Sequence, residues 1–414
     1  MSFLTSIFYI KKLITILRAL NSRSIDLTLR LPSREAQEEY LSRFPEPVDD
    51  IERSFFQYRC QCYFAENLLS CNLKNAAALV LLAVVLLKNI VCLSRSKNAF
   101  TTTADVFFFE GAIQIAPDSL LHNLKKVSLS TSVILSISDI KFIWMIVRRY
   151  PFSFMFILKN VLKISMYSAA IKTYRPSKIV CSCEYSYTSS ILTNYCESND
   201  ITHVNVMHGE KIFNIRQSFC RFNLFFVWDK YYTQLFKELR ADNSIFVVEK
   251  PAALKLETAM YALSIKECYD YTFYLTIEDR DSLIRLRTVA DKLKQAGKRV
   301  ILRPHPLRTN IAVIKKFFHE DEIEMPHDVN LSLSVARTDN AVSIGSTVLY
   351  QAYLAGKNVV IDDITNIKRF VWFKENDFIM MNKKHTLLSD VIKNLHQANN
   401  TDSTTVFPGV MSDE

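Results

Sequence analysis

Glycine is scarce in this chain, 6 residues in 414, and none stands in a Gly-x-Gly-x-x-Gly or Gly-x-x-x-x-Gly-Lys loop. Both loops need glycine where backbone closes on a phosphate, so a dinucleotide fingerprint and a Walker-type phosphotransferase are excluded. Phosphate must be held otherwise. Zinc-type spacing is missing too: nine cysteines lie scattered, and Cys60/Cys62 and Cys181/Cys183 have no second cysteine or histidine pair at the required distance. They read as reduced core thiols of a cytoplasmic protein. The net charge is +9, yet no Lys/Arg block is dense enough for a nucleic-acid arm. An anionic substrate or a membrane surface is left to account for that charge.

Long apolar runs are also lacking. The longest, Ala76 to Leu87, is bracketed by Lys74 and Lys88 and falls short of the ~18–20 residues needed to cross a bilayer. It reads as a buried helix or strand. Ser2 to Ile10 is apolar before any basic residue appears, the reverse of a secretory signal, so no export is expected. No Asp-x-Asp pair stands in a plausible metal-binding loop. The Asp-Asp pairs are Asp49-Asp50, in a proline-containing stretch, and Asp362-Asp363, just after a strand-like run. No metal is expected.

What is present describes a globular protein: 49% hydrophobic and 22% charged residues over a length that suits two domains. From residue 74 to about 250, strand-like runs at Ala104–Phe109, Lys178–Cys183, His203–Met207, Leu224–Val227 and Ile245–Val248 alternate with helical stretches near 119–128, 139–171, 188–199 and 229–240. Glu249-Lys250-Pro251 breaks the pattern. A second alternation follows, with strands at Thr272–Leu275, Arg299–Leu302, Glu322–Met325, Ala341–Ser343 and Asn358–Ile361. Its helices are Asp279–Ala296, Ile311–Phe318, Leu331–Ala336 and Thr347–Ala355; Gly297 and Gly356 stand where left-handed helix caps belong. This predicts an α/β protein of two Rossmann-like domains facing a cleft, 1–250 and 251–401, with 402–414 a disordered tail.

The chemistry collects at strand ends. Arg303-Pro304-His305-Pro306 follows an apolar strand and would hold a guanidinium and an imidazole at the sheet's carboxyl edge, where such folds bind ligands. Ser343-Ile344-Gly345-Ser346-Thr347 opens a helix, so hydroxyls and free amides would crowd a terminus that favours anions. Together they read as a phosphate clamp. In the first half, Val206-Met207-His208-Gly209-Glu210 ends a strand in an imidazole and a carboxylate, a general base and its tautomer-setting partner, or a carboxylate base. A turn histidine beside a solvated glutamate is the plainer alternative. Glu184 and Ser186 follow the Lys178–Cys183 run, and Glu110 follows Phe109. Asp362 would touch ribose or base, or merely cap its strand. The interval Phe142 to Lys163 interleaves apolar residues with Arg148, Arg149, Lys159 and Lys163, the composition of a surface for anionic lipid or of an amphipathic helix pair in the core.

The order His-Gly, Arg-Pro-His-Pro, then Ser-x-x-Ser-Thr, over roughly residues 178–365, resembles bacterial surface-polysaccharide transferases of the GT-B fold. These include the sialyltransferases and polysialyltransferases with a His-Pro motif and, more distantly, the CDP-glycerol glycerophosphotransferases. The resemblance implies that His305, Ser343, Ser346 and Thr347, with Arg303, Pro306 and Gly345 around them, hold a nucleotide's phosphate. The sialyltransferases carry their catalytic acid in an acidic-acidic-Gly motif; Phe109-Glu110-Gly111 keeps only the second acid. The glycerophosphotransferases implicate a histidine followed by glycine, matching His208-Gly209. The implied activity is metal-independent transfer of sialic acid from CMP-sialic acid to a surface glycan. The alternatives are a CDP-activated polyol-phosphate transferase and a silent scaffold. Partners would be a nucleotide-sugar donor and a glycan or lipid-linked acceptor, with peripheral membrane contact at the inner face and no nucleic acid.

Overall fold

The computed structural model describes residues 32–63, 68–93, 105–109, 111–121, 135–242, 245–261, 265 and 267–402. Among the described residues three helices come first: α1 (Arg34–Ser42), α2 (Asp50–Tyr63) and α3 (Leu68–Leu93). The first α/β unit follows as β1 (Val106–Phe108), α4 (Ile137–Arg149), α5 (Phe154–Tyr174), β2 (Lys178–Cys181), α6 (Ser189–Glu197), β3 (Thr202–Val206), β4 (Leu224–Val227), α7 (Lys230–Glu238) and β5 (Ile245–Val248). Its five strands pair in parallel in the order 1-2-3-4-5. The central strands are buried on both faces, which explains why they read as unbroken apolar runs without alternation.

The second unit holds β6 (Tyr269–Tyr274), α8 (Arg280–Gln295), β7 (Val300–Arg303), α9 (Ile311–Ile314), α10 (Leu331–Ala336), β8 (Thr338–Ser343), α11 (Thr347–Leu354), β9 (Asn358–Ile361), α12 (Ile367–Glu375), β10 (Thr386–Leu387) and α13 (Leu388–Asp402). Its order is β10-β9-β8-β6-β7, again all parallel. From β6 the chain steps outward to β7 and then crosses to β8 on the other side. The strand order therefore reverses between β6 and β8, the switch point at whose carboxyl ends open α/β sheets form their ligand crevice. Two Rossmann-like units in tandem are the expected GT-B architecture.

One apolar core crosses between the units, joining Phe225, Trp228 and Tyr232 to Tyr350, Ile361 and Phe378. Polar contacts fix the relation. Phe213 N–H donates to Asn376 O at 2.7 Å, Lys383 Nζ lies 2.9 Å from Asp229 Oδ2, and Gln37 of α1 bridges Ile215 N–H and Asn376 Oδ1.

Several local expectations change. The helix read over 139–171 is two, because Pro151 has no N–H to continue α4 and pushes Tyr150 out of helical geometry (φ −131°, ψ 59°). Near 119–128, a 3₁₀ turn at Asp118–Leu120 replaces the start of the helix, and 122–128 lie outside the described residues. The helix over 311–318 stops at Ile314. The strand over Glu322–Met325 reduces to one bridge, Leu302 to Ile323, because Glu322 and Glu324 turn to ion pairs with Arg287, Lys294, Arg303 and Arg337. The Ala76–Leu87 run lies within α3, whose outer face is exposed rather than buried. Residues 403–414 of the tail lie outside the described residues.

Candidate functional site

Around the second unit's crevice, His305 is held with a defined tautomer. Its Nδ1 accepts from Leu307 N–H at 3.1 Å, so the ring proton belongs on Nε2. Its own N–H donates to Thr309 Oγ1 at 2.8 Å, and that hydroxyl donates to Thr276 O at the end of β6, also at 2.8 Å. Burial, helped by the Arg308 charge, lowers the imidazole's pKa. With Nδ1 accepting, His305 offers its Nε2–H as a donor. Pro304 and Pro306 flank it, the first buried and the second exposed.

The other clamp residues divide. Ser346 is the N-cap of α11, its Oγ accepting from Val348 N–H at 3.3 Å, and Thr347 is the first helical residue, so first-turn N–H groups point out of the helix beside the crevice. Gly345 is needed for packing: a Cβ there would lie 2.4 Å from the Phe373 ring. Arg303 is not a free guanidinium. It is buried and donates to Glu324 Oε1 at 2.5 Å, with Arg337 on the same carboxylate's other oxygen. Ser343 lies inside β8 and donates to Tyr274 O at 2.8 Å, tying β8 to β6. Asp362 is a strand-end cap, since its buried carboxylate accepts from Ile364 N–H at 3.0 Å and Thr365 N–H at 2.9 Å.

Sequence reasoning missed two residues here. Glu278, four residues past β6, accepts from Thr276 N–H at 2.7 Å, while its Oε2 is buried with no hydrogen-bond partner. Burial pushes its carboxyl up to about 7 against the opposing hydrogen bonds and the Arg369 charge. Arg308 is exposed three residues after His305. The signal for Arg308 was its spacing from the histidine; Glu278 stands where the sequence reads as the start of a helix.

On the first unit, Gly209 adopts φ +65°, the left-handed turn that lets the chain reverse after β3 and leaves His208 exposed. Beneath it lies a buried ion pair: Glu184 Oε1 is 2.5 Å from Lys211 Nζ and accepts from His208 N–H at 3.3 Å, and Glu184 Oε2 accepts from Asn205 Nδ2 at 3.1 Å. Lys211 also donates to His208 O. Burial would raise the Glu184 pKa, but the Lys211 charge and these hydrogen bonds outweigh it and hold the carboxylate below its usual range. Glu184 is the anchor of the His208 loop, fully committed, which corrects its place among the candidate bases.

Glu210 differs. Its Oε1 is buried without a hydrogen-bond partner, so it does not orient His208, and burial pushes its pKa well above the usual value. It lies close enough to Tyr232 and Tyr350 for its charge to raise both. Tyr350 is one turn into α11, the helix that Ser346 caps. Glu110 lies outside the described residues. An open pocket of about 320 Å³ adjoins this edge beyond β4 and β5, lined by Asp118, Trp228, Glu249, Lys250 and Lys255.

Among the described residues one grouping has ligand-like proximity: Cys181, Cys183 and His203, whose ligand atoms lie within 4.8 Å of one another. Both imidazole nitrogens are already engaged, Nε2 with Tyr167 OH at 2.9 Å and Nδ1 with Thr193 Oγ1 at 2.8 Å. Burial, with the Arg221 charge, pushes His203 down to about 3, and burial raises the Cys181 thiol. This is a satisfied core histidine packed on thiols.

No family model matches the chain, and no curated protein matches it. Solved structures of similar arrangement include the wall teichoic acid polymerase TagF (11% identity, 84% of this chain and 90% of that one, TM-score 0.39). Others are a putative UDP-N-acetylglucosamine 2-epimerase from Listeria monocytogenes (13%, 74% and 89%, TM-score 0.39) and UGT89C1 of Arabidopsis thaliana (10%, 73% and 80%, TM-score 0.40). One fold of this kind hosts many activities, so function has to be argued from the site.

Proposed function

We propose that the protein is a metal-independent glycosyltransferase that uses a nucleotide-activated sugar, with CMP-sialic acid as the leading donor and a surface glycan as acceptor. The observations that carry this reading are a fixed His305 Nε2–H tied through Thr309 to the end of β6, and the capped start of α11 after β8, the strand beside β6. The acceptor hydroxyl attacks the anomeric carbon and passes its proton to His208, the exposed imidazole. The bond from sugar to phosphate breaks, and the charge left on the phosphate meets the His305 N–H and the α11 amides. Glu210, whose Oε1 is buried without a hydrogen-bond partner, offers its carboxyl to the sugar or acceptor.

A second reading, a CDP-activated polyol-phosphate transferase, is favoured by the exposure of His208, the histidine its resemblance implicates. The enzyme works in the cytoplasm, against the membrane face that carries its acceptor. Transfer assays with CMP-sialic acid and CDP-glycerol, each with and without EDTA, separate these readings. Turnover with CMP-sialic acid that survives EDTA supports the first. A strict Mg²⁺ requirement contradicts both, and nucleotide binding without turnover on any donor leaves a scaffold.

A further inference from the structure

The outer face of α3 is apolar, and none of the described elements covers it. Leu73, Val80, Val84 and Leu87 are exposed, Val80 to 65%, and their spacings of seven, four and three place them on one stripe of the helix. Exposed alanines, Ala76, Ala77 and Ala83, fill the remaining positions of that stripe, so it carries no polar side chain. Helix α4 repeats the device with charge added. Its inner face, Phe142, Ile143 and Ile146, is buried in the core. Its outer positions Ile137, Ile140, Lys141, Trp144, Met145 and Arg148 are all exposed and fall on one stripe without an acidic residue.

Both helices pack on α5. Asn75, on the flank of α3 away from that stripe, donates from Nδ2 to Phe152 O at 2.9 Å and accepts from Met155 N–H at 3.0 Å, clipping the α4–α5 turn to α3. Phe152, at the tip of that turn, is 80% exposed. Helix α5 behind them is long and apolar enough to cross a membrane, but Phe156, Ile157, Val161, Ile164 and Tyr167 are core residues. The long apolar helix is thus inside, and the apolar surface belongs to its neighbours.

Exposed apolar stripes of this kind mark a contact with protein or membrane. Charge decides which. A second copy placed by a two-fold axis would bring Lys141 and Arg148 against a face that has no acid to receive them. Anionic lipid headgroups satisfy both cations while the aliphatic stripe and the Trp144 and Phe152 rings enter the headgroup–acyl boundary. We infer that the outer faces of α3 and α4, with the Phe152 turn, form a docking surface for an anionic phospholipid bilayer, on which these elements lie. This holds whether or not the chain is a transferase.

The test uses the full chain with vesicles of phosphatidylglycerol and phosphatidylcholine, and of phosphatidylcholine alone. Trp144 is the sole exposed one of three tryptophans, Trp228 and Trp372 being 4% and 8% exposed. Brominated lipid should therefore quench Trp144 fluorescence in anionic vesicles, and Trp144→Phe should abolish the quenching. Val80→Asp should remove vesicle flotation, and joint Lys141→Glu and Arg148→Glu should weaken it about 10-fold or more at low salt. Circular dichroism melts check that these exposed substitutions leave the fold intact. A full chain that stays with the soluble fraction, flotation unchanged by both sets of substitutions, or unquenched Trp144 overturns the inference. So does a solution dimer that dissociates in Val80→Asp without vesicle binding, because the face then belongs to a second copy.

Discussion

The carboxyl edges of the two sheets are built in opposite ways. Around β6 and β7 the polar groups are linked in series, Leu307 to His305 to Thr309 to Thr276, so the imidazole's orientation is fixed before any ligand arrives. Beyond β3 the loop is anchored from below, by Glu184 and Lys211, while Glu210 Oε1 is left without a partner and His208 is exposed. A preorganised donor edge stabilises charge without reorganising in the transition state. A loosely satisfied edge opposite suits an acceptor that supplies the missing hydrogen bonds.

The largest expected effect falls on the anchor. Glu184→Gln leaves the Lys211 charge buried with its partner gone, and should lower unfolding free energy by about 3–5 kcal/mol in denaturant titrations. If stability barely changes, the loop is not held from beneath and the contrast between the edges weakens. Next is His305→Ala, expected to reduce turnover about 10²-fold or more with little change in melting temperature. Its counterpart Arg303→Ala should do the reverse, losing stability through the Glu324 pair while the folded fraction keeps its turnover. Equal losses of turnover in both would return Arg303 to the phosphate.

The pH dependence of stability sharpens the comparison further. Folding raises the Glu278 carboxyl to about 7, so the folded state favours its protonated form. The associated stability is fully present below the unfolded value of about 4.3 and is lost as pH rises through about 7. Glu278→Gln should therefore raise stability at pH 8 by on the order of 2 kcal/mol and have little effect at pH 4. Melting curves at the two pH values check this; an equal change at both would mean that Glu278 does not titrate in that range. The smallest effects belong to the two serines. Ser343→Ala should cost about 1 kcal/mol of stability and leave nucleotide affinity unchanged, whereas Ser346→Ala, which removes the α11 cap, should weaken both.

His305 and His208 were legible because prolines and a glycine punctuate the chain around them and mark strand ends. Ser346 was legible as a cap. Arg303 and Asp362 stand at equally legible strand ends, yet their side chains are spent on Glu324 and on Thr365, partners that depend on how later segments pack. Glu278 carries no turn signal, and its significance lies in an unpaired buried oxygen that sequence does not display. The same limit governs α3. Its apolar composition reads as burial, but what covers a helix face depends on the neighbours that reach it, and none of the described elements covers this stripe.

The central claim, that the β6/β8 crevice with His305 and the start of α11 holds a nucleotide's phosphate, is tested most directly by thermal stabilisation of the full chain with CMP, CDP, UDP and GDP. A cytidine nucleotide at a hundred times its dissociation constant should stabilise the protein by about 2.7 kcal/mol, with most of the effect gone in His305→Ala. No shift with any of the four, or a shift that His305→Ala leaves intact, would contradict it.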